Sequence, residues 1–214
     1  AETESDAGKL PAEFKLLGQL NRMSAIEYPH DEVMRARIKS YELAFRMQME
    51  APEAFDLDRE SAPTRERYGD DNFGRGCLLA RRLVERGVRM VQVYFGDSQP
   101  WDSHEDINSH RGLSRIADAA ISSLVEDLKS RGLFDSTLLI VGSEFGRTPM
   151  IQSAGQLRIN NGRDHNVHGF TTLLAGGGIK GGIAYGATDD FGYRAVEKRV
   201  HPHDLQATIL HQLG

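Results

Sequence analysis

Cysteine is nearly absent from this chain of 214 residues, Cys77 being the only one. A lone thiol excludes an internal disulfide framework and any zinc site built on several cysteines, and it leaves the redox compartment open. A basic excess is missing too. With Lys+Arg 26 against Asp+Glu 31 the formal net charge is -5. The chain therefore lacks the electrostatic footprint of a phosphate-backbone binder, and nucleic acid is not the expected partner. Long hydrophobic runs are also lacking. No uncharged apolar stretch approaches the roughly 18 to 20 residues that span a bilayer, so no membrane span is expected. Ala1 to Leu10 carries acids where a secretory signal would have a basic start and an apolar stretch. What remains is 23.8 kDa of mixed sequence, enough to bury a real core.

Residues 1–72 read as a helical, charged N-terminal segment that packs on a core. Within it, Asp31 to Met49 predicts a helix with Val33, Ala36, Ile38, Leu43, Ala44 and Met47 set among Glu, Arg and Lys. Ala51 to Asp71, with two prolines and many charges, reads as a surface excursion or a linker.

From Phe73 the texture becomes a helix–strand rhythm, which predicts an α/β core over 73–214. Cys77, Leu78, Ala80, Leu83 and Val84 give a helix that stops at Gly87, and Val88 to Phe95 is a β-branched and aromatic strand. Leu113, Ile116, Ala117, Ala120, Ile121, Leu124, Val125 and Leu128 hold amphipathic spacing up to Gly132. The apolar run Thr137 to Val141 suits a parallel strand covered on both faces, and Gly169 to Ala175 a third strand. Asp204 is placed to cap a final helix burying Leu205, Ile209, Leu210 and Leu213. The expected fold class is thus α/β, a mostly parallel sheet flanked by helices.

In such sheets ligands gather outside the carboxyl ends of the strands. The loop after Phe95 supplies Asp97, Trp101, Asp102, His104, Glu105 and Asp106. A carboxylate and an imidazole two residues apart can hold one divalent cation from the same side, although Asp and Ser also form turns and caps. The loop after Val141 offers Glu144 and Arg147. They form either a plain ion pair, or a metal ligand (Glu144) and a planar clamp for sulfate, phosphate or carboxylate (Arg147). The run Asn160 to His168 adds Asp164, His165 and His168, as ligands or with Asp164 orienting His165. His201, His203, Asp189 and Asp190 read as caps and turns, and GGGIKGG as a tight surface turn.

Several motifs carry a resemblance: WDSH at 101 to 104, SEFGRTP at 143 to 149, GRDHN at 162 to 166, LAGGGIKGG at 174 to 182, GATDDFG at 186 to 192, and the closing HDLQATILHQLG. From about residue 16 to its end, the chain resembles the bacterial sulfatase-like proteins grouped as domain of unknown function fifteen-oh-one, a branch of the alkaline phosphatase superfamily. The resemblance implies a metal-dependent esterase with Asp102, His104, Glu144 and His165 as ligands, and Asp164 and His168 as further ligands or supports. It also implies Arg147 as anion clamp and a divalent cation among zinc, manganese, magnesium and calcium. The substrate it implies is a small-molecule or carbohydrate sulfate or phosphate ester.

The superfamily's Asp-His pair appears here as Glu144-Phe145, one imidazole fewer. Its nucleophile and a first metal-binding Asp belong to an N-terminal part without a counterpart here, so the chain is expected to be a fragment of a single larger domain, incomplete at the N-terminus. Ser98, Ser103 and Ser143 lack an activating motif. A periplasmic or extracellular home is implied by resemblance. Two alternatives stay open: a non-catalytic relative that binds an anionic ligand or a structural metal, and a phosphomutase.

Overall fold

The computed structural model describes residues 15–21, 23, 31–96, 99–152 and 161–214. The chain divides into two compact units, Ala1–Asp56 and Leu57–Gly214. In the first, 15–21 is helical and helix α1 spans Glu32–Phe55. Asp31 starts α1 as expected, its carboxylate accepting the Met34 N–H at 2.8 Å and so satisfying an orphan donor of the first turn. The helix runs past Met49 and through Pro52, which removes one backbone hydrogen bond without ending it.

The second unit begins with two helices, α2 (Ala62–Tyr68) and α3 (Asn72–Glu85). Ser61 caps α2, and the Asp71 carboxylate caps α3 by accepting from the Phe73 and Gly74 N–H groups. The two helices meet so closely that a Cβ on Gly74 would lie 2.1 Å from the Tyr68 carbonyl oxygen. Only glycine fits there. Helix α4 (His110–Ser130) lies across both, presenting Ala120, Leu124 and Leu128 four residues apart on one stripe. These three, with Tyr68, Cys77 and Leu78, make the core, and Phe73, Val93, Leu133, Phe134 and Leu139 pack against it. Each buried leucine contributes about 1.5–3 kcal/mol. The stretch Ala51 to Asp71 is therefore not a mere surface excursion, since Tyr68 is a core residue.

A charged knot lies beside this core. Arg81, 1% exposed, sits four residues after Cys77 on the buried side of α3. Its Nη1 donates to Glu85 at 2.7 Å, Nη2 lies 2.7 Å from Glu60, and Nε lies 3.3 Å from Asp127. Tyr68 donates its hydroxyl to Asp127 at 3.2 Å, and Arg82 also pairs with Glu60. Burial pushes the Glu60 carboxyl up, but Arg81 and Arg82 outweigh it and hold the group below its ordinary value. Burial, and then Asp71, pushes the Cys77 thiol up to about 12.

The parallel sheet is not found. The strands are short and form three antiparallel pairs: β1 (Leu139–Val141) with β4 (Leu173–Ala175), β2 (Gly146–Arg147) with β3 (His165–Asn166), and β5 (Ala187–Thr188) with β6 (Ala195–Glu197). Leu139 stands opposite Ala175, and Val141 opposite Leu173. A parallel pair needs a crossover, usually a helix. Between β1 and β4 the described residues hold no helix; the chain folds through β2 and β3 and returns antiparallel.

Val88 to Phe95 is a second correction. The segment is extended, with Val91, Val93 and Phe95 half-buried and Met90, Gln92 and Tyr94 exposed, yet it belongs to no sheet. Among the described residues no backbone hydrogen bond involves 89–95. Alternation makes a strand possible, but only a neighbouring ladder makes one.

Helix α5 (Pro202–Leu213) closes the chain. Its cap is His201, whose Nδ1 accepts the His203 N–H, while Asp204 reaches back to the His201 N–H as the other half of a capping box. Asp189 builds a turn, as expected, by accepting from the N–H groups of Phe191, Tyr193 and Arg194. Among the described residues no helix is long and apolar enough to cross a membrane.

Candidate metal and anion site

Two chain segments bring the site together. The first is the loop between Phe95 and α4. Gly96, at φ 110°, lets the backbone pass against Pro100, where a Cβ would meet the ring at 2.3 Å. The Asp102 N–H then closes a turn on the Gln99 carbonyl at 2.9 Å. Trp101 anchors this loop: its ring stands edge-on to Phe95 at 5.3 Å, Phe95 stacks on Phe73 of α3 at 4.4 Å, and the indole lies 5.2 Å from the His110 ring. Asp106 caps the 3-10 turn Ile107–Ser109 that leads into α4. Asp102 and His104 are thus fixed between an aromatic anchor and a helix start.

The second segment is the β2–β3 pair. Its register sets Arg147 opposite His165, and residues opposite each other in an antiparallel pair project from the same face. Both reach Asp102. The pairing continues irregularly, with the Thr148 N–H on the Asp164 carbonyl at 2.9 Å and the Gln152 N–H on the Gly162 carbonyl at 3.0 Å. Gly162 lets this ribbon touch the first loop: a Cβ there would fall 1.9 Å from the His104 carbonyl oxygen. At the same contact the Arg163 N–H donates to the Ser103 carbonyl at 3.1 Å.

The result is a focus on one oxygen. Asp102 Oδ1 lies 2.9 Å from His104 Nε2, 2.9 Å from His165 Nε2 and 2.5 Å from Arg147 Nη1. The hydrogen bonds from Arg147 and then from His165 hold the Asp102 carboxyl down at about 2. One ligand atom from each of Asp102, His104 and His165 lies within 4.8 Å of the others. Two donors on a tetrahedral zinc, each at about 2.1 Å, stand about 3.4 Å apart. The three side chains are thus close enough together to be a candidate metal site.

His104 carries a further constraint. Its Nδ1 lies 2.6 Å from the Gln152 side-chain oxygen while its Nε2 faces Asp102 Oδ1. Both partners are acceptors, and a neutral imidazole has a single N–H. If Nδ1–H serves Gln152, the Nε2 lone pair points at a carboxylate oxygen. An ion between the two atoms satisfies both contacts, and so does the other tautomer, with Nε2–H on Asp102 and the Gln152 amide turned to donate to Nδ1. Gln152 was not among the residues that sequence pattern singled out, and no local signal marks it.

The remaining candidates fall to the side. Glu144 is not one of the three converging donors; it accepts the Ser143 hydroxyl at 2.8 Å. Its carboxyl is held below the ordinary value by its own backbone N–H, then by Ser143. The plain Glu144–Arg147 ion pair is not formed, because Arg147 pairs with Asp102. Phe145, where the superfamily pattern has an imidazole, packs its ring 4.3 Å from that of His165 and sits under the Arg147 guanidinium. Asp164 accepts the backbone N–H of His165 at 2.7 Å, a contact to the main chain and not to the imidazole. His168 points elsewhere, its ring 6.1 Å from Tyr193. Ser103 donates its hydroxyl to the Asp106 carbonyl at 2.5 Å. Asp97, Ser98 and Asn160 lie outside the described residues.

No curated protein matches this chain, and no solved structure does. One family model matches it over residues 2–214, that of a protein of unknown function, DUF1501, and the chain belongs to that family.

Proposed function

We propose that Asp102, His104 and His165 hold one divalent cation, that Arg147 binds the anionic group of a sulfate or phosphate ester beside it, and that the site serves hydrolysis of that ester. The observation that carries the reading is the convergence of two imidazole Nε2 atoms and one guanidinium on a single carboxylate oxygen. The reading rests on these donors and not on the sheet, which differs from the one the sulfatase resemblance implies.

A bound cation supplies Lewis-acid polarisation of an ester oxygen. The protein's own part is positional. Gln152 holds the His104 ring so that Nε2 faces inward, and such outer contacts fix tautomer and orientation. Phe145 supports the His165 ring from the side. Arg147 uses Nη1 on Asp102, which leaves Nη2 and Nε of its planar fork for two oxygens of a sulfate or phosphate group. A preorganised cation there stabilises charge that grows on those oxygens. The mixture of two imidazoles and one carboxylate favours zinc or another first-row ion over calcium, which takes oxygen ligands.

The test is elemental analysis and turnover together. After dialysis against metal-free buffer and reloading with zinc or manganese, the chain should retain close to one ion, and the Asp102→Ala, His165→Ala double variant none. Hydrolysis of 4-nitrophenyl sulfate or 4-nitrophenyl phosphate should depend on that ion and fall at least a hundredfold in Arg147→Met. Absence of retained metal in the parent chain sinks the metal reading. Retained metal without turnover of either ester leaves a binding site and overturns the hydrolase.

A further inference from the structure

Three groups crowd Asp102 Oδ1: His104 Nε2 and His165 Nε2, each at 2.9 Å, and Arg147 Nη1 at 2.5 Å. A carboxylate oxygen has about two lone-pair positions, so it cannot serve all three equally. A cation arriving at this oxygen separates them into two kinds. An imidazole turns a nitrogen lone pair to the ion, and both rings stay as ligands. A guanidinium has no lone pair to give and keeps its charge at any working pH, so Arg147 faces the ion as a like charge. Nor is Arg147 placed to withdraw into water. It stands in strand β2 opposite His165, its side chain is 19% exposed, and its guanidinium lies 5.6 Å over the Phe145 ring, which itself packs on the His165 ring.

We propose that the site takes its cation and its anion cooperatively, each held weakly without the other, and that Arg147 is the residue that couples them; the proposal rests on the metal and anion reading above. Either ion alone meets a charge of its own sign. The cation meets Arg147, and the anion meets Asp102. Glu144, which feels the Arg147 charge while bonding Ser143, adds a second negative charge against a lone anion. Together the two ions relieve each other: the anion neutralises Arg147 through Nη2 and Nε, and the cation neutralises Asp102. Without them the site is closed on itself as the Asp102–Arg147 ion pair. The coupling is reciprocal, so whatever factor sulfate adds to zinc affinity, zinc adds to sulfate affinity. Arg147 thereby makes loading of the cation depend on the presence of an anionic ligand.

Zinc affinity is measured by competition against a chelator in chloride and in sulfate buffers of equal ionic strength and pH, and sulfate affinity by calorimetry with and without zinc. The parent chain should hold zinc at least about tenfold more tightly in sulfate, inside the span of about 5- to 150-fold usual for coupled sites, and zinc should tighten sulfate by the same factor. Arg147→Met should invert the pattern. In chloride it should bind zinc more tightly than the parent, because the opposing charge is gone, and sulfate should then add nothing. If that variant fails to fold, as judged by circular dichroism, Arg147→Lys replaces it: the charge stays and keeps zinc weak in chloride, while loss of the planar fork should shrink the sulfate advantage. Equal zinc affinity in the two buffers, a sulfate advantage undiminished in the variant, or weaker zinc in Arg147→Met than in the parent overturns the coupling and leaves the metal site standing. If the parent holds zinc in neither buffer, the metal reading fails and the coupling falls with it.

Discussion

The second unit contains two clusters in which arginine meets carboxylates, and they are built on opposite terms. Around Arg81, which is buried beside the core, Glu60, Glu85 and Asp127 are shared with Arg67, Arg82 and Arg131, so acids and arginines are nearly matched. Around Asp102 one acid faces an arginine and two imidazoles, and the side chains are a fifth to two-fifths exposed. In the first cluster Arg81 is charge-paired with its acids and shut off from water, so no ligand can reach it. The second has more donors than its one oxygen can satisfy, open to solvent. Balanced, buried charge holds helices in register; unbalanced, accessible charge waits for a ligand.

Breaking the first cluster should have the larger effect. Arg81→Ala removes the most deeply buried cation of the knot, while Arg82, Arg131 and Arg67 still reach its acids, and removing one partner of a buried ion pair costs about 3–5 kcal/mol. Urea denaturation of the variant should show a loss of that order. A loss under 1 kcal/mol would mean that the knot contributes little. In the second cluster the expected effects are smaller and fall on ligand binding. Gln152→Ala frees the His104 ring and should weaken zinc by about 10- to 100-fold, as loss of an outer-shell contact does, with unchanged urea midpoint. Competition against a chelator measures it, and an unchanged affinity removes Gln152 from the site.

Acid offers the finest comparison. The Asp102 carboxyl is held at about 2 against an ordinary 3.8. Its folded value is depressed, so its contribution to stability is full above the unfolded value and is lost as pH falls through the folded one. The difference in denaturation midpoint between the parent chain and Asp102→Asn should therefore be constant above about pH 5 and shrink between about pH 4 and 2. A difference that stays flat across that window would show that Arg147 and His165 do not favour the ionised form.

What the sequence revealed divides along the same line between local and distant causes. The stripe of α4, its stop near Gly132 and a helix beginning at about Asp31 were legible because periodicity acts within a few residues. The family resemblance named Asp102, His104, Glu144 and His165 with Arg147; the structure brings Asp102, His104, His165 and Arg147 together and leaves Glu144 aside. The sheet was not legible. Val88 to Phe95 and Thr137 to Val141 have strand composition, but partner and direction depend on chain far away, and among the described residues between 142 and 172 no helix reverses the path for a parallel return. Gln152 was hidden for the same reason, being 48 residues from His104. Arg81 could have been read: four residues after Cys77 and three after Leu78, it sits on the apolar stripe, where an arginine has to bring its acids with it.

The extended segment 89–95 has a further consequence, in colloidal terms. Seven successive residues combine β-branched and aromatic side chains, no proline, one charge at Arg89 and a backbone free of ladder bonds. Such an edge is a template for any other strand, including the same one on a neighbouring molecule. Handling this chain at high concentration puts that edge under test before any active site is reached, and a lysine placed at the exposed Gln92 or Tyr94 is the change that keeps molecules apart without touching the residues around Asp102.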